Sequence, residues 1–354
     1  MTNALEPIKV GDITVANRVF MAPMTRNRAT PDGRATDVMV DYYTQRSSAG
    51  LIITEGIQPS VVGQGYISTP GLHNSEQVAA WRTVTDAVHA AGSTIFAQIM
   101  HAGRVGHPLL TGLAPVAPSP VAAPGVTYTA EGPKDNGVPH ELTEEEILRT
   151  IEDHATAARN AVEAGFDGVE IHGANGYLLQ QFLSDNANLR TDHWGGSVDN
   201  RVRFPAEVVK AAAAAIGAER VALRISPGNT DLGIVESDPA GLYSTLLSVL
   251  SDLSLAYVHM RETGERDLTR KIRAAWPGTF VLNPLYDEHA PHEAVAEVME
   301  EGIADAVALG RPYLANPDLI NRLKTKGPYN TADPNSFYGG DATGYTDYPT
   351  VVPA

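Results

Sequence analysis

The sequence repeats one pattern eight times: a short apolar run, a few turn residues and a longer amphipathic stretch. The apolar runs lie at 18–23, 51–56, 94–101, 166–173, 220–227, 255–262, 279–284 and 304–310. Helical patterns lie near 36–49, 75–91, 143–164, 199–216, 239–253, 267–275, 287–301 and 316–326. This alternation predicts β/α units. Because the strands are nearly continuous apolar runs, we expect a parallel sheet, and eight units predict its closure into an α/β TIM barrel.

A doubly wound open sheet is the other way to arrange alternating strands and helices. It would place a glycine-rich phosphate turn after the first strand, but here that strand runs into APMTRNR. We therefore predict a single barrel domain over 1–354. Its largest interruption, 104–142, is rich in Pro, Gly and Thr and follows the third strand. We expect this insertion to cap the barrel mouth as a lid or hairpin, with a floppy loop as the alternative.

Charge and cysteine content exclude several classes of function. The 42 acidic against 26 basic residues give a net charge of −16, and no basic stripe is available for nucleic acid or an anionic membrane. The absence of cysteine excludes disulfides, thiolate catalysis and cysteine-ligated iron–sulfur clusters. Without a signal-peptide pattern or an 18-residue apolar segment, we expect a cytoplasmic protein, as a monomer or small homo-oligomer.

In a TIM barrel, chemistry lies at the carboxyl ends of the strands. The polar residues predicted there are Thr25, Glu55, Gln98, His101, His172, Arg224, His259, Asn283 and Arg311. None of the six lysines lies at a strand end, which disfavours Schiff-base and pyridoxal phosphate enzymes. The histidines and Glu55 leave a metal-dependent hydrolase open as an alternative.

The turn HGANGY places His172, Asn175 and Tyr177 together after the fourth strand. A neutral imidazole and a carboxamide can both donate to one substrate oxygen and polarise it, while a phenol supplies a proton. The same side chains can instead satisfy the turn and pack against the following helix. Spacing alone leaves both interpretations open.

Longer motifs resemble the old yellow enzyme family in order and spacing. They include RVFMAPMTRNRA, AQIMHAGR, GFDGVEIHGANGYLLQQFLS, GGSVDNR, LGRPYLANPDL and SFYGGDATGYTDYP. Within that family, the motifs are similar to those of the branch that contains pentaerythritol tetranitrate reductase, morphinone reductase and oxophytodienoate reductase. The resemblance implies an FMN-dependent ene-reductase that takes hydride from NADPH or NADH and reduces activated alkenes in a ping-pong reaction. A non-catalytic flavin carrier of the same fold remains the second alternative.

The resemblance also implies roles for individual residues, and it implies no metal. The flavin contacts are Ala22, Pro23, Met24, Thr25, Gly56, Gln98, Arg224, Leu285, Gly310 and Arg311. Among them, Thr25 is similar to a residue that bonds flavin O4, Gln98 to one that reads the pyrimidine edge, and Arg224 to one beside N1 and O2. The substrate contacts are His172, Asn175, Tyr66, Met100 and Tyr338, with Tyr177 as the proton donor.

Arg224 has an alternative role, and the phosphate site departs from the pattern of the family. Arg224 can instead form an ion pair with Glu170 or Glu262 across the barrel. After the seventh strand, Pro284 has no N–H to offer a phosphate, so that part of the phosphate site falls to Leu285.

Overall fold

The structure is a computed structural model that describes residues 2–351. Its centre is a closed barrel of eight parallel strands, in which each strand pairs with the next and the last pairs with the first. The strands are β1 (Val19–Met21), β2 (Ile52–Ile57), β3 (Ile95–Ile99), β4 (Gly168–Gly173), β5 (Val221–Ile225), β6 (Tyr257–Arg261), β7 (Phe280–Asn283) and β8 (Ala306–Leu309). The predicted TIM barrel is therefore confirmed.

A helix follows every strand, as the amphipathic stretches predict. These helices are α1 (Asp37–Gln45), α2 (Ser75–Ala90), α3 (Glu144–Glu163), α4 (Arg203–Ile216), α5 (Pro239–Leu250), α6 (Arg266–Ala274), α7 (Pro291–Glu301) and α8 (Leu319–Thr325). At the start of α3, Thr143 and Glu146 form a reciprocal capping box, which satisfies two free N–H groups. None of the described helices is long and apolar enough to cross a lipid bilayer.

The barrel interior is apolar toward the amino ends of the strands. Phe20, Ile53, Phe96, Tyr257 and Val281 are among the side chains of this inner cluster. A hairpin of two short strands, Ile8–Val10 and Ile13–Val15, packs against the cluster. The apolar filling leaves the polar strand ends to the opposite, carboxyl end of the barrel.

The insertion at 104–142 contains regular secondary structure. Val126–Thr129 and Gly132–Asp135 form an antiparallel hairpin, and Val116–Ala117 pairs with His140–Glu141. At its start, the Arg104 guanidinium donates to the carbonyl oxygen of Leu232, at 2.9 Å. The small cluster of Ala102, Val105 and Ala123 packs with Tyr66, Tyr177 and Leu232. The insertion thus contains a hairpin, and its first part contacts side chains at the mouth, while its role as a cap stays a prediction.

The C-terminal segment returns to the loop that follows β1. The Tyr345 ring is fully buried and stacks on Tyr42 of α1, with ring centroids 4.0 Å apart. The Arg26 guanidinium donates to the carbonyl oxygens of Phe337, at 2.8 Å, and Gly344, at 2.9 Å. These contacts hold the loop that carries Thr25, so the chain end stabilises one side of the barrel mouth.

We expect Tyr345→Ala to lower the free energy of unfolding by about 3 to 5 kcal/mol, the usual cost of truncating a buried aromatic side chain. Urea denaturation followed by circular dichroism measures the change. Tyr128 is 64% exposed on the insertion hairpin, and Tyr128→Ala is the matched control, with an expected change within about 0.5 kcal/mol. Equal losses in the two variants would contradict the assigned packing.

Candidate active site at the mouth of the barrel

A buried carboxylate on β4 organises the polar side chains inside the mouth. Glu170 accepts a hydrogen bond from Nε2 of Gln98, at 2.7 Å, and its second oxygen lies 2.8 Å from Nδ1 of His259. All three side chains are almost inaccessible to solvent. Burial acts to raise the pKa of Glu170, but attraction to His259 and Arg224 outweighs it and leaves the pKa below its usual value. The site therefore contains one buried anion whose two oxygens both have partners.

Arg224 on β5 has a donor without a partner. Its Nη2 donates to Oδ1 of Asn283, at 3.0 Å, while its buried Nε has no hydrogen-bond acceptor. Burial lowers the pKa of Arg224 to about 10, so the guanidinium stays charged at neutral pH. Glu262, one alternative partner, instead pairs with Arg266 at 3.0 Å. Leaving a buried hydrogen-bond donor unsatisfied costs free energy. A buried cation with a free N–H therefore fits an electron-rich ligand that can accept this hydrogen bond.

The turn after β4 brings two further donors together. Asn175 and Gly176 both adopt left-handed conformations, with φ of 57° and 84°, which asparagine and glycine tolerate best. The Nδ1 of His172 accepts the N–H of Ala174, at 3.2 Å, so its Nε2 carries the ring hydrogen. Nδ2 of Asn175 lies 3.4 Å from that Nε2. Two donors lie side by side there, and one oxygen to the side of the pair, within hydrogen-bond distance of both, would satisfy both.

Burial keeps this donor pair neutral. It lowers the pKa of His172 to about 3, helped by the nearby Arg224 charge, so the imidazole carries no charge at physiological pH. Tyr177 stands edge-on to the imidazole, with ring centroids 5.1 Å apart. Burial, together with Tyr66, raises the pKa of Tyr177 well above its usual value. The mouth thus presents two neutral donors beside a phenol that keeps its proton.

The predicted substrate residues lie at different depths. The Tyr66 hydroxyl is 2.8 Å from the Tyr177 hydroxyl, and the two rings pack edge to face. Met100 is buried, and a Cβ built at Gly56 would lie only 2.7 Å from its sulfur, which explains the glycine. Tyr338 is 70% exposed on the C-terminal segment. Tyr66 therefore contacts Tyr177, which itself packs against His172. Tyr338 lies at the solvent-exposed edge of the mouth.

The residues expected around a flavin include one group in the loop after β1 and another, expected to bind the phosphate, in the loops after β7 and β8. Ala22 is buried, whereas Pro23, Met24 and Thr25 are half-buried in the loop after β1. The Leu285 N–H donates to a Glu262 oxygen at 3.1 Å. The Arg311 guanidinium, next to Gly310, pairs with Glu288. Two of the three expected phosphate donors are thus engaged by carboxylates in this structure.

The side chains that suggested a metal site do not converge. Glu55 accepts from the Tyr43 hydroxyl at 3.2 Å, and burial raises its pKa to about 7. His101 stacks against His154, with ring centroids 6.2 Å apart, while His259 is bound to Glu170. Across residues 2–351, no three His, Asp or Glu side chains form a group suited to a metal ion. The geometry gives the metal-hydrolase alternative no ligand set.

Sequence reasoning did not single out Arg261. Its Nη1 donates to Oδ1 of Asn175, at 2.8 Å, so Arg261 contacts one of the two donors, His172 and Asn175, which we call the donor clamp. The available signal was its position as the last residue of the sixth strand, where catalytic side chains of TIM barrels lie.

Comparison with known proteins places this geometry in a family. Residues 4–330 match the profile of the NADH:flavin oxidoreductase / NADH oxidase family. 12-oxophytodienoate reductase 1 of Oryza sativa subsp. japonica is 41% identical, over 98% of this chain and 92% of that protein. A probable flavin mononucleotide-dependent alkene reductase of Leishmania infantum is 40% identical, over 98% of this chain and 96% of its own length.

Solved structures agree with these relatives. The old yellow enzyme homologue of Zymomonas mobilis superposes with a TM-score of 0.95 at 42% identity, covering 99% of this chain and all of that one (100%). Morphinone reductase in complex with tetrahydroNAD superposes with a TM-score of 0.94 at 39% identity, covering 99% of this chain and 98% of that one. The resemblance seen in the motifs is therefore confirmed: the chain belongs to the NADH:flavin oxidoreductase / NADH oxidase family, as an old yellow enzyme homologue.

Proposed function

We propose that the protein is an FMN-dependent ene-reductase that uses NADPH or NADH to saturate the activated C=C bond of α,β-unsaturated carbonyl or nitro compounds. The observation that carries the proposal is the pair of neutral donors on His172 and Asn175, open to one oxygen, in a barrel of a flavin oxidoreductase family. The substrate is a small electrophilic alkene, and the enzyme acts in the cytoplasm as a monomer or small homo-oligomer.

The residues of the mouth fit a flavin. Bound FMN would supply the hydride chemistry that links the nicotinamide to the alkene. The unpartnered Nε of Arg224 and its buried charge favour the negative charge that reduction leaves on the ring. The Gln98 amide and the Thr25 hydroxyl are the polar groups that would contact the ring edge. The proposed lining is completed by Ala22, Pro23, Met24 and Gly56, with Leu285, Gly310 and Arg311 toward the phosphate.

His172 and Asn175 act on the substrate oxygen. Both donate to the carbonyl or nitro group, and these bonds strengthen as negative charge develops on the oxygen during hydride addition. Because His172 is neutral, it polarises the oxygen without transferring its proton. We assign the proton to Tyr177, which would donate it to the α-carbon while the β-carbon receives the hydride. One hydride and one proton then account for both new C–H bonds, with Tyr66, Met100 and Tyr338 lining the substrate.

The experiment that tests this function is a visible spectrum of the protein loaded with FMN. We expect NADPH or NADH to bleach the flavin absorbance under anaerobic conditions, and 2-cyclohexenone to restore it with formation of cyclohexanone. Bleaching that neither an enone nor oxygen reverses would instead indicate a non-catalytic flavin carrier.

We expect His172→Ala and Asn175→Ala each to slow reoxidation by 2-cyclohexenone on the order of 10²–10³-fold, the cost of losing one donor to a developing oxyanion. Bleaching by the nicotinamide should be affected far less. Stopped-flow absorbance measures the two half-reactions separately. His193→Ala is the control, since that imidazole is 54% exposed and lies outside the clamp. Equal losses in both half-reactions would overturn the clamp assignment.

We expect Tyr177→Phe to slow enone reduction on the order of 10²-fold or more, the contribution typical of a general acid. The raised pKa keeps the phenol protonated through neutral pH, so the wild-type rate should not fall between pH 6 and about pH 9 through loss of this proton. Tyr66→Phe, which keeps the donor and removes only its neighbour's hydroxyl, is the matched comparison. Wild-type rates for Tyr177→Phe on every enone would remove the proton-donor role.

The phosphate side yields a prediction about cofactor affinity. Because Glu288 pairs with Arg311, it competes with a phosphate for the same guanidinium. We expect Glu288→Gln to tighten FMN binding about two- to fivefold, since an exposed ion pair is worth at most about 1 kcal/mol. Fluorescence titration of the apoprotein measures the dissociation constant. Glu300→Gln removes the same charge from an exposed position on α7, and equal affinities of the two variants would refute the competition.

A further inference from the structure

Arg261 connects the donor clamp to the loop that follows β5. It ends β6, and its Nη1 donates both to Oδ1 of Asn175, at 2.8 Å, and to Oδ2 of Asp231, at 2.6 Å. The guanidinium is 37% exposed, so solvent reaches it, and the contact with Asn175 is partly buried. One charged nitrogen therefore bridges a clamp residue and a carboxylate of the neighbouring loop.

The contact decides which face of the Asn175 amide reaches the clamp. A carboxamide carries an acceptor on one side and two donors on the other, and rotation about its terminal torsion exchanges them. With Oδ1 bound to Arg261, Nδ2 is directed toward His172, 3.4 Å from Nε2. The donor side of the amide therefore faces the place where a substrate oxygen would bind.

The rotated amide would disable the clamp. In that orientation Oδ1 would face Nε2–H of His172 and accept its hydrogen, so the two residues would satisfy each other. No free donor pair would then remain for a substrate oxygen. Arginine can donate hydrogen bonds but cannot accept them, so the rotated amide would present its NH₂ group to Arg261 and lose that bond. Arg261 thus stabilises the open orientation and destabilises the closed one.

We propose that Arg261 is a positioning residue that sets the polarity of the Asn175 carboxamide and keeps the clamp open for an oxygen acceptor. The inference rests on the proposed function and adds to it a residue that need not touch the substrate. Asp231 completes the arrangement, because its carboxylate holds the guanidinium in place at 2.6 Å. The ion pair is partly exposed, so Asp231 contributes less than Arg261 itself.

A double-mutant cycle on the FMN-loaded protein tests this role. The probe is the rate at which 2-cyclohexenone reoxidises protein bleached by NADPH. We expect Arg261→Met to slow this step about 10- to 100-fold, approaching the loss of one oxyanion donor. Arg261→Lys, which keeps a donor, should recover most of the rate. In the Asn175→Ala background, Arg261→Met should cost less than about twofold more, since residues acting as one unit are not additive.

The control is Arg270→Met, which removes an equally charged side chain that is 56% exposed on α6 and paired with Asp267. It should reoxidise at the wild-type rate. If Arg261→Met does not fold or take up FMN, Asp231→Asn carries the test, with a smaller loss that disappears in the Asn175→Ala background.

Three outcomes separate the claims. Wild-type rates for Arg261→Met, with normal reoxidation of the wild type, would overturn the positioning role and leave the proposed function intact. Equal losses with and without Asn175 would show that Arg261 acts on something else, and would also overturn it. Failure of the enone to reoxidise the wild-type protein would instead refute the proposed function.

Discussion

Two hydrogen-bond donors held side by side, 3.4 Å apart and sharing no protein acceptor, are the arrangement on which the proposed chemistry depends. Such a pair is unfavourable unless the backbone enforces it. Here β4 fixes His172, and the left-handed turn at Asn175 and Gly176 carries the amide back toward the imidazole. Neutrality matters equally, because burial holds the pKa of His172 near 3 and removes the charge that an imidazolium would bring beside Arg224. A substrate oxygen that binds there accepts hydrogen bonds from both donors. The same two hydrogen bonds that bind the substrate therefore also polarise its carbonyl or nitro group.

The buried anion and the buried cation beneath the clamp differ in how completely their hydrogen bonds are satisfied. Glu170 is the buried anion, and both of its oxygens have partners in Gln98 and His259. Arg224 keeps one N–H without an acceptor. Both oxygens of the anion have hydrogen-bond partners, whereas the cation keeps a buried N–H without an acceptor, so the mouth favours an electron-rich ligand. This asymmetry is what the flavin assignment predicts for a ring that gains negative charge on reduction.

Local sequence patterns predicted the architecture well because eight strands and their helices each carry their own periodicity. The hairpin at Ile8–Val10 and Ile13–Val15 was not predicted, since three-residue strands are too short to show alternation. HGANGY predicted that His172, Asn175 and Tyr177 lie together, because the three residues are close in the chain. Arg261 lies 86 positions from Asn175, so their contact arises only when β6 and β4 meet at the same mouth. The pairing of Arg311 with Glu288 was missed for a different reason, since exposed loop conformations leave little pattern in a sequence.

The central claim is that two neutral donors polarise the substrate oxygen, and infrared difference spectroscopy tests it most directly. The measurement is the carbonyl stretching frequency of 2-cyclohexenone, labelled with ¹³C at the carbonyl, bound to the FMN-loaded oxidised protein. We predict a frequency below that of the same ketone in water, because preorganised donors in a water-poor site polarise the bond more strongly than solvent. The band should keep its position between about pH 5 and pH 8, since His172 does not titrate there. A frequency at or above the aqueous value, or a band that shifts within that range, would contradict the account.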